Sequence, residues 1–113
     1  MRLAGKQDFA GVFERGRRSA DRCFTMLGCA NGLEIGRLGL AISRKAARRA
    51  TSRNRLKRLA REAFRHHQHT LAGLDVIVMA RPGADKLDNA ELRASLERHY
   101  QSIPGRCEHS SKA

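Results

Sequence analysis

The residues best suited to chemistry are a run of cationic side chains between Arg44 and Arg65. This stretch holds ten Lys or Arg side chains and a single acid, Glu62, in a chain of 113 residues with net charge +12. Arginine carries a planar, permanently charged group that pairs with phosphate oxygens. Like charges at helical spacing repel by about 0.2–0.5 kcal/mol per pair, so a face exposed only to solvent should intersperse acids. The segment therefore predicts a polyanionic partner such as RNA.

His66, His67 and His69 are the other candidates for chemistry, as metal ligands or as acid–base groups. No acid or cysteine nearby completes a ligand set around them. Cations at a helix C-terminus interact favourably with the helix dipole, which accounts for the histidines without a catalytic role. The sequence also lacks an arrangement of acids that could activate water. A nuclease that uses these histidines remains one hypothesis, and we expect neither catalytic nor metal-binding residues.

The three cysteines predict neither a disulfide nor a zinc site. Cys23 and Cys29 lie six residues apart in a predicted strand, about 20 Å by strand rise and too far for a disulfide. Cys107 lies in a polar segment, and no Cys-x-x-Cys occurs. The chain has no run of about 20 apolar residues, and Met1–Gly5 lacks the apolar core of a secretory signal. These features predict a cytoplasmic protein.

Three helices are predicted from the spacing of apolar residues. They cover residues 6–15, residues 52–68 and a segment that begins near Asp88. Ser52 is the predicted N-cap of the second helix, and Asp88 with Glu91 resembles a capping box at the start of the third. The apolar stripes are Phe9, Val12 and Phe13, then Leu56, Leu59, Ala60, Ala63 and Phe64, and finally Leu92, Leu96 and His99 or Tyr100.

Three strands are predicted between these helices. Residues 22–29 and 35–43 have strand-like sequences, and Asn31-Gly32 between them predicts a hairpin. Residues 75–80 form a continuous apolar run, as expected of a central strand buried on both faces. Alternation along the second strand divides Leu38, Leu40 and Ile42 on one face from Gly39, Ala41 and Ser43 on the other.

The order αββαβα, which contains a strand–helix–strand unit, predicts an α/β two-layer sandwich with three helices on one small mixed sheet. The length is that of a single domain, which we place over residues 1–103. Residues 104–113 are polar and predict a flexible tail.

Several motifs resemble the protein subunit of bacterial ribonuclease P, over about residues 9–100. In order, they are Phe9-x-x-Val12-Phe13-x-x-Gly16, Arg37-Leu38-Gly39-Leu40-Ala41-Ile42-Ser43-Arg44-Lys45, Arg53-Asn54-Arg55-Leu56-Lys57-Arg58 with Arg61-Glu62-x-Phe64-Arg65, and Asp75-Val76-Ile77-Val78-Met79-Ala80-Arg81. The resemblance implies a left-handed βαβ crossover, contrary to the usual rule. It also implies that a large RNA is the catalyst and holds Mg²⁺, so that the protein itself binds no cofactor.

The resemblance implies two partners, the catalytic RNA subunit and the 5′ leader of precursor tRNA, with no membrane and no protein partner evident. The side chains that would contact the RNA subunit are Arg44, Lys45, Arg48, Arg49, Arg53, Asn54, Arg55, Lys57, Arg58, Arg61 and Arg65. Those that would line a leader-binding groove are Phe9, Phe13, Phe24, Leu27, Gly39, Ala41 and Ser43. From the residues alone, Phe9 and Phe13 fit a core-facing helix equally well. The implied function is assistance in endonucleolytic 5′-end maturation of tRNA, and the alternative is a ribosomal-type or general RNA-binding protein with no enzymatic role.

Overall fold

The computed structural model describes the backbone of residues 5–111 and the side chains of residues 9–107. The elements, in chain order, are α1 (Gly5–Arg15), β1 (Arg17–Ala20), β2 (Phe24–Ala30), β3 (Arg37–Ala41), α2 (Ala50–His66), β4 (Leu74–Ala80), a 3-10 turn (Ala84–Lys86) and α3 (Asn89–Ser111). The predicted α/β fold with three helices is confirmed, whereas the sequence pattern gives no sign of the short strand β1. None of the helices within residues 5–111 is both long enough and apolar enough to cross a membrane.

The four strands form one mixed sheet in the order β1-β2-β4-β3. β4 is antiparallel to β2 and parallel to β3, with hydrogen bonds on both sides. This central position agrees with its continuous apolar sequence. The β3–α2–β4 unit is therefore a crossover between neighbouring parallel strands, and its left-handedness stays a prediction from the resemblance.

The hairpin predicted at Asn31-Gly32 is wrong, because β4 lies between β2 and β3. Gly32 does adopt a left-handed conformation, with φ of 71°. The Asn31 side chain, however, organises a longer loop: it accepts the Leu33 N–H at 2.8 Å and donates to the Ile35 carbonyl at 3.1 Å. An apolar strand buries more surface between two partners than at an edge, so β4 separates the two strands that the turn sequence would pair.

Alternation of side chains divides the core between the two faces of the sheet. The larger cluster lies on the face that packs against α2 and α3, and its strand residues include Phe24, Met26, Leu38, Val76 and Val78. The smaller cluster lies on the α1 face and consists of Val12, Leu27, Cys29 and Ile77. Ile42 belongs to the larger cluster, whereas Ala41 packs against the smaller one. The predicted division of the 35–43 segment into two faces is thus confirmed for these residues.

The start of α2 differs from the prediction and the start of α3 agrees with it. α2 spans Ala50–His66, and its N-cap is Arg49, whose side chain makes no capping hydrogen bond. The prediction of Ser52 as N-cap is therefore wrong, although the five-residue apolar stripe of α2 is buried as expected. At α3, the Asp88 carboxylate accepts the Glu91 N–H at 2.8 Å, which confirms this cap.

α3 continues through Pro104 to Ser111, so the segment predicted as a polar tail is helical this far, and its flexibility stays a prediction. Ile103 and Cys107 are 0% and 1% exposed and extend the buried stripe of the helix. A Cβ on Gly28 of β2 would lie 2.8 Å from the Ile103 side chain and 3.2 Å from Cys107 Sγ. This glycine therefore lets the last turns of α3 pack closely on the sheet, and that burial offsets the helix-breaking tendency of the proline.

Asp21 joins the β1–β2 turn to α3. Its Oδ1 accepts the backbone N–H groups of Cys23 and Phe24 at 2.8 and 3.0 Å. Its Oδ2 accepts the Ser95 hydroxyl at 2.7 Å and an Arg98 N–H at 3.1 Å. Burial raises the pKa of the carboxyl, but the hydrogen bonds from Phe24, Ser95 and Cys23 outweigh it and hold the pKa of Asp21 well below its usual range.

We expect Asp21→Asn to lower the free energy of unfolding at pH 7 by about 1–3 kcal/mol, the scale for hydrogen bonds to a charged group. A depressed folded-state pKa contributes stability that is present above the unfolded pKa of about 3.9 and is lost as pH falls through the folded value. Urea unfolding between about pH 7 and pH 2 should therefore show a shallower loss of stability in the variant than in the parent. Parallel curves would contradict this role for Asp21.

Candidate nucleic-acid interface

The loop from β3 to α2 carries four exposed cations next to a buried anchor. Ala46 and Ala47 are 2% and 1% exposed, and their N–H groups donate to the Ser43 carbonyl at 3.1 and 3.2 Å. Because these alanines fix the loop against the core, their charged neighbours point to solvent. The neighbours are Arg44, Lys45, Arg48 and Arg49, all exposed.

The side of α2 opposite its buried stripe carries the remaining cations. Asn54, Arg58, Arg61 and Arg65 are exposed, and Lys57 is half-buried. Among side chains 9–107, no Lys or Arg of residues 44–65 forms an ion pair with a carboxylate. Glu62 is the single acid of residues 44–65, so this side keeps a large net positive charge. We call the following residues the basic surface: Arg44, Lys45, Arg48, Arg49, Asn54, Lys57, Arg58, Arg61 and Arg65.

Arg53 and Arg55 differ from the other arginines because their side chains bind the protein itself. Arg53 Nη1 donates to the carbonyls of Ala47 and Arg48 at 3.0 and 2.9 Å. Arg55 donates from Nη1 to Asn89 Oδ1 at 2.7 Å and from Nη2 to the Asp85 carbonyl at 2.8 Å. Arg53 thus supports the loop before α2, and Arg55 ties α2 to the start of α3. A guanidinium has five N–H donors, so each of these arginines keeps donors that could contact RNA. Their predicted contacts with the RNA subunit therefore stay a prediction.

A cleft of about 510 Å³ opens on the α1 face of the sheet. Phe13 of α1 lines it with a side chain that is 50% exposed. Thr25 and Leu27 of β2 and Met79 of β4 also line it, and Thr25 is paired with Met79 in the sheet. We call this site the sheet cleft and define it by Phe13, Arg18, Thr25, Leu27, Met79 and Arg81.

A tight end to α1 sets the position of Phe13 beside β1. Val12 is 1% exposed and anchors α1 on the sheet, while its carbonyl accepts the Gly16 N–H at 2.7 Å. A Cβ on Gly16 would lie 2.3 Å from that oxygen, so this position requires glycine. β1 begins at the next residue. Phe13 and Arg18 are consequently held together at the cleft.

The structure places only part of the predicted leader groove in this cleft. Phe13 and Leu27 line it, while Phe9 packs against the smaller core cluster. The prediction for Phe24 is wrong, because Phe24 is 0% exposed and belongs to the larger cluster on the other face. Residues three apart in a strand point to opposite faces, so Phe24 and Leu27 are not able to share one groove.

The other predicted groove residues, Gly39, Ala41 and Ser43, do not line the cleft. Gly39 is buried, and Ala41 is half-buried against the smaller cluster. Ser43 is exposed beyond the end of β3. The sequence reasoning missed Arg18, Thr25, Met79 and Arg81. Of these, Thr25 was accessible from sequence, since it shares its strand face with Leu27, whereas Met79 and Arg18 depend on pairings with β4 and β1.

The histidines and cysteines have local structural surroundings. His67 Nε2 lies 2.7 Å from Glu97 Oε2, and the ring packs against Tyr100 with centroids 5.9 Å apart. Within the described part of the chain, no group of three or more His, Cys, Asp or Glu side chains is placed to hold a metal ion. Cys23, Cys29 and Cys107 are free and buried. Burial raises the pKa of Cys107 to about 11, so this thiol stays protonated near neutral pH.

Comparison with known proteins gives matches along nearly the whole chain. A family model described as ribonuclease P matches residues 1–104. A ribonuclease P protein component from Thioalkalivibrio sulfidiphilus is 47% identical over 107 residues, covering 95% of this chain and 89% of that protein. The protein of the same description from Nitrosococcus oceani is 43% identical over 110 residues, covering 97% and 92%.

Solved structures show the same architecture. The Staphylococcus aureus RNase P protein matches with a TM-score of 0.81 and 30% identity, over 90% of this chain and 95% of that one. The Thermotoga maritima RNase P protein, solved with 1-(4-fluorophenyl)-2-thiourea, matches with a TM-score of 0.82 and 33% identity, over 90% and 99%. Sequence and fold therefore agree on one family.

Proposed function

Since this chain belongs to the bacterial ribonuclease P protein family, we propose that its basic surface binds the catalytic RNA subunit and its sheet cleft binds the 5′ leader of precursor tRNA. The family places the chain as a subunit of the ribonuclease P holoenzyme, an endoribonuclease, with a role in 5′ maturation of tRNA and with ribonuclease P RNA as its partner. The observation that carries the proposal is the basic surface, whose Lys and Arg side chains have no carboxylate partner among side chains 9–107.

The basic surface suits a folded RNA because its charges are spread over two connected elements. The exposed cations of the β3–α2 loop and of α2 follow one another over residues 44–65. Arginine approaches phosphates closely and can pair with two oxygens at once. Each phosphate contact releases counterions, so binding through this surface should weaken steeply with salt. The protein then assists assembly by screening the repulsion between RNA phosphates.

The sheet cleft suits a single strand because it combines an aromatic ring with cationic neighbours. Phe13 offers an exposed ring, and Leu27 and Met79 add apolar surface. Bases of any sequence stack on aromatic side chains, while arginines such as Arg18 and Arg81 interact with the backbone phosphates. Unpaired leader nucleotides can present their base faces in this way, whereas the paired bases of a duplex stay stacked on one another.

We assign the hydrolytic chemistry to the RNA subunit, with Mg²⁺ held there and no cofactor bound by the protein. The described residues offer no cluster of ligands that fits a metal ion. The protein's own contribution is to bind and orient RNA, and none of its described side chains is assigned a proton-transfer or nucleophilic role.

The test is leader-dependent binding by a holoenzyme reconstituted with a bacterial ribonuclease P RNA at low Mg²⁺. We expect Phe13→Ala to weaken precursor tRNA binding by about 1–3 kcal/mol, the value of one stacked base, and to leave mature tRNA binding unchanged. Leu33→Ala is a matched control, because Leu33 is a similarly exposed apolar residue, at 47%, that does not line the cleft. Equal affinity of the parent holoenzyme for precursor and mature tRNA would instead favour a general RNA-binding protein.

A further inference from the structure

A second basic region lies at the free edge of the sheet, far from the basic surface in sequence. β1 is an outermost strand, and its Arg17 and Arg18 are exposed. Arg106 of α3 donates from Nη1 to the Arg18 carbonyl at 3.1 Å across 88 residues of sequence. Ser19 Oγ lies 2.7 Å from His99 Nδ1, which fixes α3 against the same strand. We call Arg17, Arg18 and Arg106 the edge surface.

The edge surface carries uncompensated charge. Within residues 9–107, no carboxylate lies at ion-pair distance from Arg17, Arg18 or Arg106. Two other arginines on this side, Arg22 and Arg98, each pair with a carboxylate. The three guanidinium groups without a carboxylate partner among side chains 9–107 are therefore the ones available to an anionic partner.

The edge surface adjoins the sheet cleft at Arg18. Arg18 lines the cleft and is paired in the sheet with Leu27, which also lines it. Arg17 is paired with Gly28 and points to the other face of the sheet, the face that α3 with its Arg106 covers. A strand that leaves the cleft past Arg18 therefore meets Arg17 and Arg106 by turning around the outer edge of β1. Charged side chains on an edge strand also prevent pairing with other sheets. That role accounts for arginines on β1 but not for Arg106, which belongs to a helix.

We propose that the edge surface binds the phosphates of distal leader nucleotides, those that lie 5′ of the nucleotides held in the sheet cleft. This proposal rests on the proposed function of the cleft. A cationic groove that follows the backbone beside a stacking site is the usual way in which proteins hold single strands. The leader would thus be held by its bases in the cleft and by its phosphates at the edge.

The experiment measures the affinity of the reconstituted holoenzyme for precursor tRNAs whose leaders increase in length. For the double variant Arg17→Gln, Arg106→Gln, we expect long-leader affinity to fall roughly three- to thirtyfold, the range for two exposed charge contacts. Affinity for a leader short enough to fill only the cleft should not change. The slope of log affinity against log salt should decrease by about 1.4 for the long leader, because a single strand contributes about 0.7 per phosphate contact.

Three further variants keep the result interpretable. Arg93→Gln is the control, because it removes an exposed charge from a different side of α3, the side of Glu97, whose carboxylate bonds His67 at the end of α2. This variant should leave the ratio of long- to short-leader affinity unchanged. Arg17→Glu changes the charge of the edge by the same two units while it keeps the Arg106 bond to the Arg18 carbonyl, and it should lower that ratio by a similar factor. Phe13→Ala separates the two proposals, because it should weaken short and long leaders alike.

Two results would overturn the edge proposal. One is an unchanged ratio in a double variant that unfolds at the parent temperature, while Phe13→Ala still weakens binding. The other is weaker assembly with the RNA subunit alone or weaker mature tRNA binding, which would place a duplex or the RNA subunit at this edge. No effect of Phe13→Ala on any leader would instead contradict the function proposed for the cleft.

Discussion

Simultaneous replacement of Arg58, Arg61 and Arg65 by alanine is expected to weaken binding of ribonuclease P RNA by about 100-fold. These side chains are exposed on the free side of α2. Each is expected to contribute about 1 kcal/mol through a phosphate contact, and 1.4 kcal/mol corresponds to a tenfold change in affinity. Each lost contact should also lower the salt dependence of binding by about one unit of slope. Binding isotherms at several salt concentrations measure both quantities.

The same substitutions should not destabilise the protein. The three arginines have no carboxylate partner among residues 9–107. Arg61 and Arg65 are four residues apart on one helix, where like charges repel by a few tenths of a kcal/mol. Alanine also has the higher helix propensity. We therefore expect thermal unfolding at the parent temperature or slightly above it, in contrast to the large loss of RNA affinity.

A matched control separates specific contacts from total charge. Replacing Arg15, Lys86 and Arg93 by alanine removes the same charge from exposed positions outside the basic surface, and none of these three has a carboxylate partner among side chains 9–107. We expect that variant to lose much less RNA affinity. If both triple variants lose affinity equally, net charge alone attracts the RNA and α2 has no special role.

Disruption of the Arg37–Asp75 ion pair is expected to have the largest effect on folding. Arg37 donates from Nε and Nη2 to the two carboxylate oxygens of Asp75, each at 2.7 Å. Asn31 Nδ2 also donates to Asp75 Oδ1 at 2.9 Å. The Asp75 side chain is 8% exposed, so removing its partner leaves a buried and poorly compensated carboxylate. We expect Arg37→Met to lower the free energy of unfolding by about 3–5 kcal/mol.

The position of this pair connects stability with RNA binding. Arg37 is the first residue of β3, and Asp75 is its partner on β4. The loop with four exposed cations follows β3 directly. Weakening the β3–β4 contact should therefore also disturb the basic surface. RNA affinity of Arg37→Met, measured at a temperature where it is folded, should fall even though Arg37 lies outside that surface.

The double variant Arg37→Met, Asp75→Leu supplies the control for folding. Replacing both members of a buried ion pair by apolar residues of similar size is often neutral, whereas removing one leaves a charge without its partner. Urea unfolding should show the double variant to be more stable than Arg37→Met alone. A loss below 1 kcal/mol for Arg37→Met would mean that water reaches Asp75 and that the pair is only a surface contact.

Local sequence was sufficient for the three helices, for three of the four strands and for the anionic character of the partner. The period of apolar residues identified three helices, and the apolar run of β4 identified the central strand, because both patterns reflect which side chains must be buried. The nearly acid-free segment of residues 44–65 predicted an anionic partner from charge alone. The motif resemblance then gave the family, and the comparisons confirmed it.

Tertiary structure decided the features that depend on which distant segments become neighbours in space. The apolar run of β4 indicated a central strand, but the sequence did not show that β4 would enter between β2 and β3, since strand order depends on burial summed over the whole sheet. It did not reveal β1, whose four residues, Arg-Arg-Ser-Ala, are strand only because β2 and α3 lie beside them. For the same reason, the sequence did not show that Phe24 lies on the face opposite the cleft or that Arg106 bonds the Arg18 carbonyl of β1. Nor did it show that Arg53 and Arg55 bond carbonyl and amide groups of the protein. Charge and periodicity are properties of a segment, whereas a cleft or an edge exists only where distant segments meet.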